Sequence, residues 1–301
     1  MSRRILLVTH PRRAEVPALV EEFSDRLHQH DIEVEVMPSV TDHTPVTATL
    51  DRDLGTDPAL EGTELVVVFG GDGTILRGAE LARPAGVPLL GVNLGRVGFL
   101  AEAEREEMGW MVDHVVNQDY TVQERMTLDV DVILDGTTVC RSWALNEASV
   151  EKSARERMVE LAVEIDGRPL STWGCDGVIM ATPTGSTAYA FSGGGPVVWP
   201  DVAALLLVPI SAHALFARPL VVGPDAELAV EIMPEAPGPA VMWCDGRRSF
   251  ELEPGARIEV RRSTTGVRIA RLSTSPFTDR LVAKFALNVQ GWQGPARRSG
   301  S

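Results

Sequence analysis

Only three cysteines occur in the 301 residues, Cys140, Cys175 and Cys244, and none forms a C-x-x-C pair or stands at metal-ligand spacing from a histidine. That scarcity argues against a zinc site and fits small buried thiols in a reducing cytosol. Long apolar runs are missing too. No stretch approaches the roughly eighteen residues that a membrane-crossing helix needs, and MSRR is followed only by Ile5 to Thr9 before His10 and Pro11, so no signal peptide is read. A soluble, cytoplasmic protein is expected. Basic residues are in deficit, 28 Lys and Arg against 42 Asp and Glu, for a net charge of −14. A general nucleic-acid or membrane-surface role is excluded on that balance, because polyanions attract basic faces. Small anions remain possible ligands, provided that backbone N–H groups, a few placed arginines or a divalent cation hold them locally.

The length and a hydrophobic content of 44% allow a substantial core and two domains. The first half alternates strand-like and helix-like segments. Ile5 to Thr9, Ile32 to Met37, Leu65 to Phe69 and Val87 to Val92 read as strands, and Glu15 to His28 and Met108 to Val116 carry helical spacing. This order implies a parallel sheet covered on both faces. Ser39 to Asp57 is Pro- and Thr-rich and reads as a surface loop. Past Tyr120 the period becomes two. Leu128 to Leu134, Val139 to Val150, Val159 to Ile165, Glu227 to Met233, Val241 to Cys244, Arg257 to Arg262 and Val267 to Leu272 read as antiparallel strands, with Asp135-Gly136 and Asp166-Gly167 as hairpin turns. A last helix is predicted over Asp279 to Phe285, and the Gly-, Ser- and Arg-rich end reads as disordered.

Three segments carry chemistry. The buried strand Leu65 to Phe69 runs into Gly70-Gly71-Asp72-Gly73-Thr74 and then a helix. Ligands sit beyond the carboxyl ends of strands in such sheets, and glycines allow unusual dihedrals and close approach to the backbone. The helix N-terminus can hold phosphate without added charge, while Asp72 could bind a cation or accept a proton, as phosphoryl transfer requires near the acceptor hydroxyl. Taken alone, the turn could equally be an Asp capping a helix. Gly174 to Pro196 forms the second segment, with Thr182 to Thr187 dense in hydroxyls, Tyr189 and Phe191 able to face an adenine ring, and a second glycine-rich turn at Ser192 to Pro196. Third, Asn146-Glu147 ends a predicted strand with a pair that can bond vicinal ribose hydroxyls or an adenine edge. Among the histidines, His213 reads as a buried structural residue and His10 as a group near the first strand's end; His28, His30, His43 and His114 read as surface residues.

Together these stretches resemble the NAD kinase family. The resemblance rests on GGDGT at Gly70 to Thr74, GVNLGRVGFL at Gly91 to Leu100, Asn146-Glu147, DGVIMATPTGSTAY at Asp176 to Tyr189, Gly194 to Pro196, and SAHALFARPLVV at Ser211 to Val222, in order and at fitting spacing from about Arg4 to Trp292. GGDGT alone is shared with lipid and sugar kinases. The second and fourth segments are what separate NAD kinases from these.

The resemblance implies a Rossmann-like α/β domain over 1–118, a mostly antiparallel β domain over 119–278 that binds NAD, a helix over 279–292 returning to the first domain, and a disordered tail over 293–301. It implies Asp72 as general base toward the 2′-hydroxyl of the adenosine ribose, with Gly73 and Arg77 near dinucleotide and phosphates. Further NAD contacts are implied for Asn146, Glu147, Arg157, Asp176, and the run Thr187, Ala188, Tyr189, Ala190, Phe191 and Ser192. Gly174 and Arg247 depart from the family's usual residues, and no role is carried to either. The implied donor is ATP or polyphosphate, with Mg²⁺ or Mn²⁺ carried on its phosphates and no protein metal cage, and the implied assembly is a homodimer or homotetramer. Another GGDGT-type kinase and a non-catalytic NADP-binding regulator are the alternative readings.

Overall fold

The structure is a computed structural model, and it describes residues 3–10, 14–37, 46–47, 60–94, 98–104, 107–153, 158–235, 239–273 and 275–290. The first unit comprises β1 (Arg3–Thr9), α1 (Val16–His28), β2 (Ile32–Val36), β3 (Val46–Thr47), β4 (Leu65–Phe69), α2 (Asp72–Ala85), β5 (Leu89–Asn93), β6 (Ala103–Glu104), α3 (Met108–Val116) and β7 (Thr121–Arg125). The β-rich part follows as β8 (Leu128–Leu134), β9 (Thr137–Ala144), β10 (Glu147–Lys152), β11 (Val159–Ile165), β12 (Arg168–Cys175), β13 (Gly177–Ala181), α4 (Tyr189–Ser192), β14 (Leu205–Ile210), β15 (Leu220–Val222), β16 (Leu228–Ile232), β17 (Ala240–Cys244), β18 (Arg248–Leu252), β19 (Arg257–Arg262), β20 (Val267–Arg271) and α5 (Phe277–Phe285).

The first sheet runs β2-β1-β4-β5-β20-β7, with β6 beside β5. Its central strands β1, β2, β4 and β5 are parallel. Strand LVVVF is buried throughout because both its faces are covered. Leu65, Val67 and Phe69 join Ile5 and Leu7 against α1 and α3, while Val66 and Val68 join Leu6 and Val8 against α2. The edge-to-face pair Phe23–Phe69, with centroids 5.4 Å apart, seals the first of these layers. Each fully buried side chain of this size contributes about 1.5–3 kcal/mol.

The remaining strands form two sheets, β15-β14-β13-β10-β17-β18-β3 and β12-β11-β16-β19-β8-β9, antiparallel but for the short parallel pair β18-β3, and they share one core that includes Val130, Val150, Val178, Leu207, Val230, Met242 and Ile258. The hairpin turns behave as the Asp-Gly pairs predicted. Both residues have positive φ at Asp135-Gly136 and Asp166-Gly167, as the right-handed strand twist favours.

Two strands differ from expectation. Val267–Arg271 belongs to the first sheet, between β5 and β7, and not to an antiparallel sheet of the β-rich part. A period-two pattern records which faces are buried and not which neighbour supplies the hydrogen bonds. The single strand read over Val139 to Val150 is divided at Leu145-Asn146, where the chain leaves β9 in one antiparallel sheet and enters β10 in the other. The surface loop read over Ser39 to Asp57 falls outside the described residues except for Val46 and Thr47, which pair with β18. His43 and the disordered tail also lie outside them.

Helix α5 starts after Pro276 and ends at Ala286 in the left-handed region. It lies against the first unit: Arg280 donates to the carbonyls of Phe99 (2.9 Å) and Ala101 (3.0 Å). None of the described helices is long and apolar enough to cross a membrane.

How closely α2 rests on the sheet is set by Gly78, where a Cβ would lie 2.5 Å from Val68 Cγ2 and 2.8 Å from Leu89 Cδ1. Gly78→Ala should therefore lower stability by about 1–3 kcal/mol through overpacking, read as a lower urea midpoint with an unchanged slope.

Candidate active site

Asp72 is the first residue of α2, immediately after β4, and Gly71 caps the helix in an extended conformation. The side chain turns back toward the second family-like segment, where the N–H groups of Phe99 and Leu100 donate to its two oxygens, each at 3.2 Å. Gly98 is needed there, since a Cβ would stand 2.4 Å from Asp72 Oδ1. Gly70, Gly71 and Gly73 do not have positive φ, which corrects the expectation of unusual dihedrals. Gly70 is required by space, because a Cβ would lie 2.4 Å from Thr74 Cβ, whereas among the described residues nothing lies within 4 Å of a Cβ on Gly71 or Gly73. Room is thus left above the turn, beside a carboxylate fixed by two amides. Residues 95–97, which complete the loop, lie outside the described residues.

On the opposite side stands the crossover at Leu145-Asn146. Leu145 is buried in the apolar layer that also holds Ile75 and Leu76 of α2, so Asn146 and Glu147 follow directly from a contact with that helix. The crossover is held by Asp245, which is buried and accepts from the N–H groups of Leu145 (3.0 Å), Asn146 (2.7 Å) and Glu147 (3.4 Å). Arg248 supplies its counter-charge at 2.7 Å. Burial works to raise the Asp245 carboxyl above its ordinary range, and Arg248 with the amides of Leu145 and Asn146 opposes it. Arg247 and Arg248 then both reach Glu80 Oε1 on α2, at 3.2 and 3.3 Å. Trp143 lies between the guanidiniums of Arg83 (4.4 Å) and Arg248 (4.5 Å). Helix α2 is in this way tied at one end to the crossover and presents Asp72 at the other.

The Thr182 to Thr187 loop closes over the same point. Thr182 donates its N–H to Asn146 O (2.9 Å) and its hydroxyl to Leu145 O (2.6 Å), and then accepts from Gly185 N (3.1 Å). A Cβ on Gly185 would sit 2.0 Å from Asn146 O, so only glycine permits this approach.

Glu147 is 7% exposed, and its Oε2 is buried without a hydrogen-bond partner. Burial, reinforced by Asp245, pushes its carboxyl up to about 8, against the Tyr189 N–H, which stabilises the charged form. Glu147, Ser149 and Glu151 share one face of β10, and Ser149 Oγ donates to Glu151 at 2.6 Å. Tyr189 spans this row: its hydroxyl lies 3.4 Å from Glu151 Oε2. Arg77 is half-buried on α2, and its guanidinium is held below its usual range by burial and by Arg247.

The other sequence-derived residues are scattered more widely. Asp176 pairs with Lys152 at 2.5 Å, which holds its carboxyl below the usual range. It stands at the far end of β10 and β13, since Glu151 registers with Gly177 and Glu147 with Ala181, roughly 20 Å along the strands from Asn146. Ala190 is fully buried in a small apolar cluster with Ile179 and Val208. Phe191 packs on Phe285 of α5, with centroids 4.9 Å apart. Thr187 and Ala188 are half-buried and Ser192 exposed. Arg157 lies outside the described residues. His10 donates its N–H to Phe69 O at 2.9 Å, beside the β4 turn. His213 is exposed and not buried as expected: its backbone bridges to Gly174, while the neighbouring Ala212 supplies the packing against the core. Asp245 was the residue that sequence reading missed as an anchor. Its signal was a third Asp-Gly pair, Asp245-Gly246, with both φ values positive.

Residues 4–120 match the ATP-NAD kinase N-terminal domain and residues 145–272 the ATP-NAD kinase C-terminal domain. The chain belongs to the NAD kinase family. It is 56% identical over 293 residues to NAD kinase 2 of Streptomyces coelicolor, covering 97% of each chain. Among solved structures, the family fold appears in yeast NADH kinase complexed with NADH (TM-score 0.82, 25% identity, 95% of this chain and 88% of that one). An NAD kinase from Archaeoglobus fulgidus in complex with ATP is also similar (TM-score 0.71, 26% identity, 94% and 98%). In this member of the NAD kinase family, α2 carries the GGDGT turn at its N-terminus and is joined to the Asn146 crossover through Leu145 and the Glu80 ion pairs.

Two measurements check the site's physical construction. Removing one member of a buried ion pair leaves the other uncompensated, so Asp245→Ala should cost on the order of 3 kcal/mol in denaturant unfolding. For Glu147 the folded carboxyl titrates above its unfolded value, so the native state holds a proton that the unfolded chain releases. Its contribution is then complete below about pH 4.5 and is lost as pH rises toward about 8. Glu147→Gln should gain stability relative to the parent between these limits, by on the order of a few kcal/mol at pH 8, and a Tm difference independent of pH would contradict the assignment.

Proposed function

We propose that this chain is an NAD kinase that transfers the terminal phosphate of ATP, or of polyphosphate, to the 2′-hydroxyl of the adenosine ribose of NAD, giving NADP. The observation that carries the reading is the Asp72 carboxylate, aimed by the Phe99 and Leu100 amides at the N-terminus of α2 beside open space. In this reading the 2′-oxygen attacks the donor's terminal phosphorus, the bond from phosphorus to the leaving phosphate oxygen breaks in line, and Asp72 takes the hydroxyl proton. The Gly73 amide and Arg77 face dinucleotide and phosphates. Asn146 and Glu147 hold a ribose or the adenine, with protonated Glu147 able to donate from a carboxyl whose Oε2 has no hydrogen-bond partner among the described residues. Arg157, Asp176 and the run Thr187 to Ser192 complete the dinucleotide contacts.

The substrates are assigned to a crevice shared by residues 1–118 and 119–278, with strands 121–125 and 267–271 contributed to the first sheet and helix α5 returning against the first unit. Among the described residues no three His, Cys, Asp or Glu side chains converge to hold a metal ion. Mg²⁺ or Mn²⁺ is assigned to the donor's phosphates, where it offsets charge that would otherwise meet Asp72. A cytoplasmic homodimer or homotetramer belongs to the same reading, joined through the β-rich part, where Leu215, Phe216 and Val221 are exposed.

NADP formed from NAD, ATP and Mg²⁺ can be followed with an NADP-specific dehydrogenase, and absence of product would overturn the assignment. Asp72→Asn should keep the fold and lower kcat by on the order of a hundredfold or more. Near-parental turnover in that variant would remove Asp72 from the chemistry.

A further inference from the structure

Behind the segment that holds Asp72 lies a second cavity, of about 280 Å³, lined by Gln123, Arg125, Trp199, Asp201, Phe277 and the arginines Arg271 and Arg280. It is built by strands β7 and β20, helix α5 and the loop after α4, and none of its lining residues belongs to the crevice described above. Three guanidiniums converge here around one buried carboxylate, Glu102. Arg271 Nε meets Glu102 Oε2 at 2.7 Å, and Arg280 pairs with Glu102 Oε1. Glu102 Oε1 is taken by Arg280, while Oε2 approaches Arg271 Nε as an ion pair without a hydrogen bond of good geometry, so two guanidiniums already share its charge. Arg271 also donates to Gln123 Oε1 at 3.1 Å and to Ser275 O at 3.3 Å.

Arg125 is left over. It is 5% exposed, and its Nε and Nη1 are buried without a hydrogen-bond partner among the described residues. Burial and repulsion from Arg271 and Arg280 push its guanidinium down to about 10, against weaker help from Glu102 and Asp201. A buried cation without a counter-ion is unfavourable, and Asp201, the remaining carboxylate of the lining, is itself exposed. One wall of the cavity is aromatic, formed by Trp199 and Phe277 with centroids 5.3 Å apart.

We propose that this cavity is a second anion site, which binds a small phosphate-bearing molecule with its phosphate on Arg125 and its remainder against Trp199 and Phe277. The planar fork of Arg125 suits an oxyanion. The bound anion supplies the charge that Glu102 cannot. The site also reaches the catalytic segment through one peptide: Arg280 holds the carbonyl of Phe99, and the N–H of that same peptide unit, Leu100 N–H, holds Asp72.

The test is thermal unfolding of the full chain in inorganic phosphate, without nucleotide, against potassium chloride at matched ionic strength. Parent, Arg125→Met and Asp201→Asn are compared. Phosphate should raise the parent's Tm saturably beyond chloride, Arg125→Met should weaken that response by roughly tenfold or more, and Asp201→Asn should strengthen it several-fold by removing a like charge. In chloride, Arg125→Met should be at least as stable as the parent, because an unpaired buried cation is gone. Equal phosphate stabilisation of all three chains would place the ion in the crevice or elsewhere on the surface and overturn the proposal, as would no effect beyond chloride. An Arg125→Met chain that is less stable in chloride, or does not fold, would make Arg125 a structural strut and overturn it too.

Discussion

Asp245 is the constraint on which the site depends. A carboxylate buried in the β-rich core is tolerable only if its acceptor capacity is filled, and here three successive amides, Leu145 to Glu147, and Arg248 fill it. The amides of Leu145 and Asn146 are free to turn toward Asp245 because the chain is there passing between two sheets, after β9 and before β10. The same carboxylate therefore ends one strand, starts the next and orients the Asn146-Glu147 pair.

Its influence extends to the first unit through charge. Arg248 divides itself between Asp245 and Glu80, Arg247 adds a second bond to Glu80, and Trp143 is enclosed by two guanidiniums. These groups lie between a helix and a sheet edge, partly out of water, where ion pairs are screened less than on an open surface. Leu145 adds an apolar contact to the same junction. The helix that bears Asp72 is thus positioned by a network some two to three turns away from the carboxylate itself, while the near end is set by space at Gly70 and Gly98.

Helix α5 plays a comparable part from the other side. It buries none of its side chains completely, yet Arg280 and the rings of Phe277 and Phe285 connect Phe99 of the first unit with Phe191 and Trp199 of the second. Sequence reading placed this helix correctly, but the aromatic residues it meets come from three distant segments. Phe191 is an example: it packs on Phe285, a residue from a distant segment that no local pattern could pair with it.

What the amino-acid order determined by itself was whatever depends on local pattern: the buried parallel strands, the alternating β strands, the Asp-Gly turns, and the motif residues whose type and spacing name the family. What only the tertiary structure decided was which strands share a sheet, as with Val267–Arg271, and which buried charges find partners, as with Asp245, Glu147 and Arg125. Periodicity is a property of neighbours along the chain, whereas the free energy of a buried charge depends on groups brought close from elsewhere. The first can be read in a string of letters, and the second exists only once the chain has folded.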